Sequence, residues 1–366
     1  MYSEIIEKAA VLRRTLHGMP ETSMEETETR KTLMRFVREN TTFEVQDRGS
    51  WFYCLKRADA PDGSAPAALR ADFDAVCAGG RLGHFCGHDG HSAVLCAAAM
   101  KLSAMQTKRD IYLIFQPGEE IGRGALLCRG LIDEKNIGEI YGLHNIPGYP
   151  TGEILLRRGT FACASTGLEI KMLGRPSHAA YPEAGRNPGF ALSELLLSAK
   201  KTAEKMSWEH DLVMLTLIGM DVGGESYGVS ASEGTLRLTL RGEREKTFEG
   251  FLGEIKRMAR ESADRGGFEL RIREIERFPA TENDDRCVEK TERAACRLGL
   301  STAFLDEPMR WSEDFGAYLQ KTKGAFFGVG SGENHAQLHT ENYVFPDEII
   351  DPASELLALL ASDEAK

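Results

Sequence analysis

The stretch IYLIFQPGEE, residues 111–120, joins five apolar residues to a turn that carries two adjacent carboxylates. An unbroken apolar run of this length, bounded by a Pro-Gly turn, is typical of a β-strand that is buried on both faces. Such strands occur in parallel sheets covered by helices on both sides. The stretch therefore predicts an α/β fold and places Glu119 and Glu120 directly after a strand.

Similar apolar runs lie on both sides of this stretch and alternate with helical patterns. Further strands are predicted at Trp51–Leu55, Ala67–Ala71 and Ile140–Leu143. Helices are predicted at Glu4–Leu16, Glu25–Asn40 and Ser92–Met105, where apolar or alanine residues repeat at helical spacing. This alternation indicates a mostly parallel sheet, in which ligands bind beyond the carboxyl ends of the strands.

The segment 166–276 has a different order of predicted strands and helices. Its predicted elements are strands at Thr166–Leu173, Leu212–Met220, Thr235–Arg241 and Phe268–Ile275, with helices at Pro188–Met206 and Thr247–Arg265. The order β-α-β-β-α-β is typical of a ferredoxin-like α+β unit. We therefore predict an α/β domain formed by residues 1–165 and 277–366, with residues 166–276 inserted as a second domain. A strand at Gly324–Val329 and a helix at Asp347–Leu360 complete the first domain.

The composition limits the possible partners and the compartment. Lys and Arg number 45 against 56 Asp and Glu, which gives a net charge of −11. An acidic chain repels phosphate backbones, so we expect no nucleic-acid partner. No apolar run is long enough to span a bilayer, and the N-terminus lacks a signal-peptide pattern. With eight cysteines that form no compact framework, these features predict reduced thiols, no membrane association and a cytoplasmic location.

The densest group of possible metal ligands is HFCGHDGH, residues 84–91. Thiolate and imidazole together suit zinc or a similar transition metal better than magnesium or calcium. Incidental histidines in a glycine-rich loop are the alternative, which three histidines and a cysteine in eight residues disfavour. The spacing does not decide which of His84, His88 and His91 binds, and Asp89 could instead orient a histidine.

The other candidate motifs are weak when they are taken singly. Glu119 and Glu120 suit metal hydrolysis, in which one carboxylate binds the ion and its neighbour takes a proton from water, but paired glutamates are more often solvated. His144 follows a predicted strand, His339 lies near the C-terminus and His178 lies in the inserted segment; each has a structural or surface role as its alternative. The pattern Gly-x-Ser-x-Gly occurs once, at Gly224–Gly228, but between two predicted strands and not at the strand-to-helix turn of a serine nucleophile elbow.

Taken in order, the motifs resemble the aminoacylase/carboxypeptidase family of metallopeptidases. The branch that they resemble contains hippurate hydrolase and the indole-acetyl-amino-acid hydrolases. The similar segments run nearly end to end: Arg13–Glu21, Leu69–Ala75, Cys86–His91, Phe115–Glu120, Gly142–Pro147, His178–Pro188, Ser312–Phe315 and Leu338–His339.

The resemblance implies the site residues. It implies two divalent transition metal ions (zinc, manganese or cobalt), held by Cys86, His88, Glu120, His144 and His339. It implies that Glu119 is the general base and that His178 stabilises the oxyanion. Arg241 and Asn187 are implied to contact the substrate, with Arg241 pairing with its carboxylate. The inserted domain is implied to act as a lid and to form a homodimer.

The predicted function is hydrolysis of the amide bond of a small N-acyl amino acid. A dipeptidase or carboxypeptidase of the same family is one alternative, and a metal- or ligand-binding protein without catalysis is another. Three departures from the family pattern concern the pocket rather than the ligands. The loop Ala75–Arg81 is short and lacks a proline, Gly228 stands where asparagine is usual, and Gly118 replaces alanine.

Overall fold

The computed structural model describes residues 2–209 and 211–362. Its helices are α1 (Tyr2–His17), α2 (Thr27–Asn40), α3 (His88–Ser103), α4 (Gly124–Cys128), α5 (Gly130–Lys135), α6 (Gly189–Glu209), α7 (Glu245–Gly266), α8 (Asp285–Arg297), α9 (Gly316–Leu319) and α10 (Ile350–Ser362). Short 3-10 turns lie at Pro182–Ala184 and Asp347–Ile349.

The strands fall into a long series. They are β1 (Glu44–Asp47), β2 (Phe52–Lys56), β3 (Ala67–Asp72), β4 (Val76–Ala78), β5 (Arg81–Gly83), β6 (Ile111–Gln116), β7 (Glu139–Ile146), β8 (Ile154–Leu156), β9 (Gly159–Ala162), β10 (Ala164–Leu173), β11 (Ser177–His178), β12 (Val213–Val222), β13 (Val229–Ser230), β14 (Glu233–Gly242), β15 (Glu269–Phe278), β16 (Thr281–Asn283), β17 (Thr302–Phe304) and β18 (Lys323–Gly330).

The described residues form two compact units. The first contains the chain up to Phe161, Thr281–Pro308 and the residues from Asp314 onward. The second contains Ala162–Ala280 together with Met309–Glu313.

The first unit is built on a sheet with the strand order β1-β2-β6-β3-β7-β18-β8-β17. Its four central strands are parallel, as β6 pairs with β3, β3 with β7, and β7 with β18 in that sense. Every residue of β3 and β6 is buried, which explains their unbroken apolar sequences. The mixed α/β fold and the large, mostly parallel sheet are thus confirmed.

The helix α3 lies on this sheet and is buried almost throughout. It begins at His88 rather than at the predicted Ser92, because Gly87 adopts a left-handed backbone (φ 93°) and ends the preceding loop. The histidine-rich motif, residues 84–91, therefore continues into the first turn of the helix. The short alanine side chains, such as Ala97 and Ala98, let α3 pack closely between α1, α10 and the sheet.

The second unit contains an antiparallel sheet with the strand order β12-β14-β10-β15. Along the chain its main elements follow one another as β10, α6, β12, β14, α7 and β15. Leu168 and Ile170 of β10, Leu238 of β14 and Phe248 of α7 belong to the core of this unit. Its helices α6 and α7 pack against each other and against the sheet.

Candidate metal centre

The candidate ligands follow strands that end at the same edge of the first sheet. β6 ends at Gln116, directly before the turn that carries Glu119 and Glu120, and β7 carries His144 near its carboxyl end. β3 ends at Asp72 between these two strands. Parallel strands present their carboxyl ends together, so these segments meet at one place.

Gly87 lets Cys86 and His88 approach β7. A Cβ atom on Gly87 would lie 2.5 Å from Oδ1 of Asn145, and the backbone there has φ 93°. Only glycine fits both the left-handed conformation and this close approach. The Asn145 side chain in turn donates a hydrogen bond to the carbonyl oxygen of Cys86 at 3.1 Å.

Five predicted ligands come together in the first unit. The set is Cys86, His88, Glu120, His144 and His339. Cys86 Sγ lies 3.4 Å from His144 Nε2 and 3.2 Å from His339 Nε2. Glu120 Oε1 lies 3.4 Å from His339 Nε2 and 3.9 Å from His88 Nε2. A thiol, three imidazoles and a carboxylate therefore point into one small space.

These ligand atoms form two groups that share the Cys86 sulfur. Cys86, His88 and His144 offer atoms within 4.8 Å of one another, and so do Cys86, Glu120 and His339. His88 Nε2 and Glu120 Oε1 are buried and make no hydrogen bond within the described residues. Buried polar atoms without a partner are costly unless an ion or water satisfies them. The donor set and these unpartnered atoms fit divalent transition metal ions, which Cys86, His88, Glu120, His144 and His339 would hold.

Neighbouring groups orient the imidazoles. His88 Nδ1 lies 3.0 Å from Asp74 Oδ1, and His144 Nδ1 lies 2.8 Å from the carbonyl oxygen of Asn145. Because each Nδ1–H donates to an oxygen, each Nε2 lone pair faces the cluster. The same Asp74 accepts a hydrogen bond from the Glu120 backbone N–H at 3.0 Å. Asp74 thus holds ligands from two segments, a role that the sequence analysis did not identify.

The charge environment suits a cation. Burial, together with Glu120 and Glu119, raises the pKa of the Cys86 thiol well above its usual value. A divalent ion reverses this effect, since it stabilises the thiolate form. Burial also holds the pKa of His144 well below its usual value. This imidazole is therefore neutral, and its nitrogen lone pair can bind a cation.

Glu119 lies beside the cluster. It is buried, and its carboxylate has an atom within 4.8 Å of ligand atoms of His88 and Glu120. Its Oε1 accepts a hydrogen bond of 3.2 Å from the backbone N–H of Asp314. The N–H of Gly118, in the same turn, donates to Glu26 Oε1 at 2.8 Å.

The other residues of the histidine-rich motif lie outside these two ligand groups. His91 uses Nδ1 with Asp72 Oδ1 at 2.6 Å and Nε2 with Asn145 Oδ1 at 2.5 Å. Asp89 pairs with Nδ1 of His17 at 2.8 Å, so it orients a histidine of α1 and none of the clustered ones. His84 is buried, and neither ring nitrogen has a hydrogen-bond partner among the described residues.

His178, Arg241 and Asn187 belong to the second unit. His178 is exposed on β11, and its Nδ1 accepts a hydrogen bond from the Ala180 N–H at 3.0 Å. Arg241 donates through one nitrogen, Nη1, to the Arg310 carbonyl and to Ser312 Oγ, both at 2.9 Å.

Asn187 is engaged at both ends of its side-chain amide. Its Oδ1 accepts from the Gly189 N–H at 2.9 Å at the start of α6, and its Nδ2 donates to Ser230 Oγ at 3.3 Å. These bonds give Asn187 a role in the second unit itself, while its substrate contact stays a prediction.

Comparisons with known proteins identify the family of the chain. The model of peptidase family M20/M25/M40 matches residues 68–363. Hippurate hydrolase of Campylobacter jejuni is 26% identical over 96% of this chain and 94% of its own length. An N-acetyl-L-cysteine deacetylase of Bacillus subtilis is 29% identical over 90% of this chain and 81% of its own. An IAA-amino acid hydrolase of Arabidopsis thaliana is 27% identical, with 96% and 84% covered.

Solved structures show the same fold. A putative aminohydrolase from methicillin-resistant Staphylococcus aureus superposes with a TM-score of 0.88 at 22% identity, covering 100% of this chain and 98% of that one. A Bacillus subtilis protein described as a dinuclear metal-binding peptidase of the M20 family gives 0.84 at 24% identity, with 99% of each chain covered.

The fold and the ligand cluster define the class of a metallopeptidase-type hydrolase of amide bonds. The chain belongs to peptidase family M20/M25/M40, and its relatives confirm the resemblance to the aminoacylase-like amidohydrolases. Among the helices of residues 2–209 and 211–362, none is long and apolar enough to cross a membrane.

Proposed function

We propose that the chain is a two-metal amidohydrolase that cleaves the amide bond of small N-acyl amino acids. The observation that carries the proposal is the convergence of Cys86, His88, Glu120, His144 and His339 in one space, with Glu119 alongside. The names of the relatives support the substrate class, since hippurate and N-acetylcysteine are both N-acyl amino acids.

The residues divide the work of hydrolysis. Two divalent ions, when bound, supply a Lewis acid for the scissile carbonyl and lower the pKa of the attacking water. Cys86 and Glu120 provide the negative charge that holds them, and the oriented imidazoles complete the ligands. Glu119 accepts the proton of the water and passes it to the leaving nitrogen.

The second unit supplies the remaining roles in this proposal. It acts as a lid, and His178 stabilises the oxyanion of the tetrahedral intermediate. Arg241 pairs with the substrate carboxylate through its planar guanidinium, whose Nη1 also donates to the Arg310 carbonyl and to Ser312 Oγ. Asn187 contributes a further polar contact to the substrate.

The ligand chemistry supports a cytoplasmic location. A cysteine ligand is lost on oxidation, so a reducing compartment such as the cytoplasm suits Cys86. The metal could be zinc, manganese or cobalt, because each is bound by this mixture of thiolate, imidazole and carboxylate.

A substrate panel tests the proposal. Purified protein loaded separately with zinc, manganese or cobalt would be assayed on hippurate, acetyl-methionine, indole-acetyl-alanine and several dipeptides. We expect turnover of at least one N-acyl amino acid and little turnover of dipeptides. Preference for dipeptides would favour a dipeptidase, and no turnover of any compound with metal bound would favour a non-catalytic binding protein.

A further inference from the structure

We propose that a buried hydrogen-bond network centred on Arg70 holds Glu119 in its working position. Arg70, Gln116, Asp314 and Tyr318 would then be positioning residues for the reaction. The inference rests on the proposed role of Glu119 as the base. It gives a function to Arg70 and Asp314, which belong to two of the segments that resemble the family, Leu69–Ala75 and Ser312–Phe315.

The network consists of side chains that solvent does not reach. Arg70 donates from Nη2 to Asp314 Oδ1 at 2.8 Å and from Nε to Gln116 Oε1 at 2.9 Å. Gln116 Nε2 donates to both carboxylate oxygens of Asp314, at 2.8 and 2.9 Å. The Tyr318 hydroxyl donates to Gln116 Oε1 at 2.9 Å. Because these residues are all buried, water does not compete for the bonds.

The network reaches Glu119 through one peptide group. The Asp314 carboxylate also accepts a hydrogen bond from the Ala125 N–H at 2.8 Å, so its oxygens are held by three different residues. A carboxylate fixed in this way fixes the backbone that carries it. The N–H of Asp314 is thereby aimed at Glu119 Oε1, 3.2 Å away, and limits the movement of the Glu119 carboxylate.

The same arginine also connects to the ligand side of the site. Arg70 Nη1 donates to Asp72 Oδ2 at 2.5 Å, and Asp72 Oδ1 bonds His91 Nδ1 at 2.6 Å. The planar guanidinium donates to the carboxylates of Asp72 and Asp314 at the same time. A lysine ammonium does not have this fixed fork of donors. Arg70 therefore keeps the end of β3 and the Asp314 peptide in a fixed relation.

Two tyrosine variants test the proposal on the metal-loaded full chain. Tyr318→Phe removes one bond of the network, whereas Tyr141→Phe removes a comparable bond, from its hydroxyl to Glu139 Oε2 at 3.0 Å, near the start of β7. Both tyrosines are fully buried. We expect kcat to fall about five- to tenfold in Tyr318→Phe with KM and metal content unchanged, since small displacements of a catalytic group slow the reaction. Tyr141→Phe keeps the wild-type kcat.

A second readout does not depend on activity. Hydrogen exchange of the Asp314 amide should be several-fold faster in Tyr318→Phe and in Arg70→Lys, but unchanged in Tyr141→Phe. If the wild type hydrolyses no N-acyl amino acid, the proposed function fails while the exchange rates still decide whether the network holds this amide. Equal kcat and equal exchange in the two tyrosine variants, or a fall in kcat that only follows loss of metal, would overturn the proposal.

Discussion

Cys86 is the residue that joins the two groups of candidate ligands, because its sulfur lies close to both His144 and His339. The sequence identified the residue types but left the choice among His84, His88 and His91 open. His84 lies outside both ligand groups. His91 uses both nitrogens with Asp72 and Asn145, whereas His88 keeps Nε2 for the cluster. These partners lie far away in the sequence, so spacing alone could not predict them.

At the scale of single residues, the first prediction concerns Glu119. Glu119→Gln should retain both metal ions and lower kcat by at least about 100-fold, because the amide keeps the shape of the side chain and does not accept a proton. Metal content and steady-state kinetics measure the two effects. The control is Glu25→Gln, at an exposed position just before α2. Turnover close to the wild type would mean that another group is the base.

Glu26 gives a prediction about pH. Burial, with the charge of Asp74, raises the pKa of Glu26 to about 7 from an ordinary value of 4.5. Between these two values the folded protein keeps a proton that the unfolded chain has lost. The contribution of Glu26 to the free energy of unfolding is therefore complete below pH 4.5 and is lost as the pH rises to 7, by on the order of 3 kcal/mol.

Glu26→Gln is neutral throughout and can still accept the bond from Gly118. Denaturant unfolding at several pH values should show a flatter profile for this variant than for the wild type between pH 4.5 and 7. Parallel profiles for the two proteins would show that Glu26 does not titrate in this range.

At the scale of elements, the loop that leads into α3 sets the position of two ligands. Gly87→Ala places a methyl group 2.5 Å from Asn145 in a left-handed backbone, and should lower both stability and metal affinity. Gly49→Ala is the matched control, since Gly49 has φ 88° and no atom within 4 Å of its Cβ position. In a metal titration, we expect Gly87→Ala to bind metal about tenfold more weakly, or worse, than Gly49→Ala. Equal metal affinity in the two variants would show that the close approach of Gly87 to Asn145 does not position the ligands.

Elements with strong apolar patterns were predictable from the sequence and the others were not. Ile111–Phe115 was predicted as a strand and forms β6, Ile111–Gln116. The helix α8 was missed because its buried positions include small or polar residues such as Thr291, Ala294 and Ala295. The short loop Ala75–Arg81 contains β4 and leads into β5, a hairpin whose strands of three residues carry no periodic signal.

At the scale of the whole molecule, we propose that the second unit forms the homodimer. β12 is an edge strand of its sheet, and Leu217 and Ile218 on it are 48% and 61% exposed. An exposed apolar edge is a template for pairing with another strand, which a second copy of this chain would provide.

Light scattering should give a dimer for the wild type and a monomer for Ile218→Lys. Leu126→Lys, at an exposed apolar position of the first unit, should remain dimeric. A monomeric wild type would contradict the proposal, and so would an equal effect of the two substitutions.

We propose that Cys86, His88, Glu120, His144 and His339 bind a pair of divalent ions. Anomalous diffraction from crystals of cobalt- or zinc-loaded protein tests it most directly. We predict two peaks, ~3.5–4 Å apart, one next to His88 and His144, the other next to Glu120 and His339, with Cys86 Sγ near both. No peak at this place in fully loaded protein, or peaks bound by other residues, would contradict it.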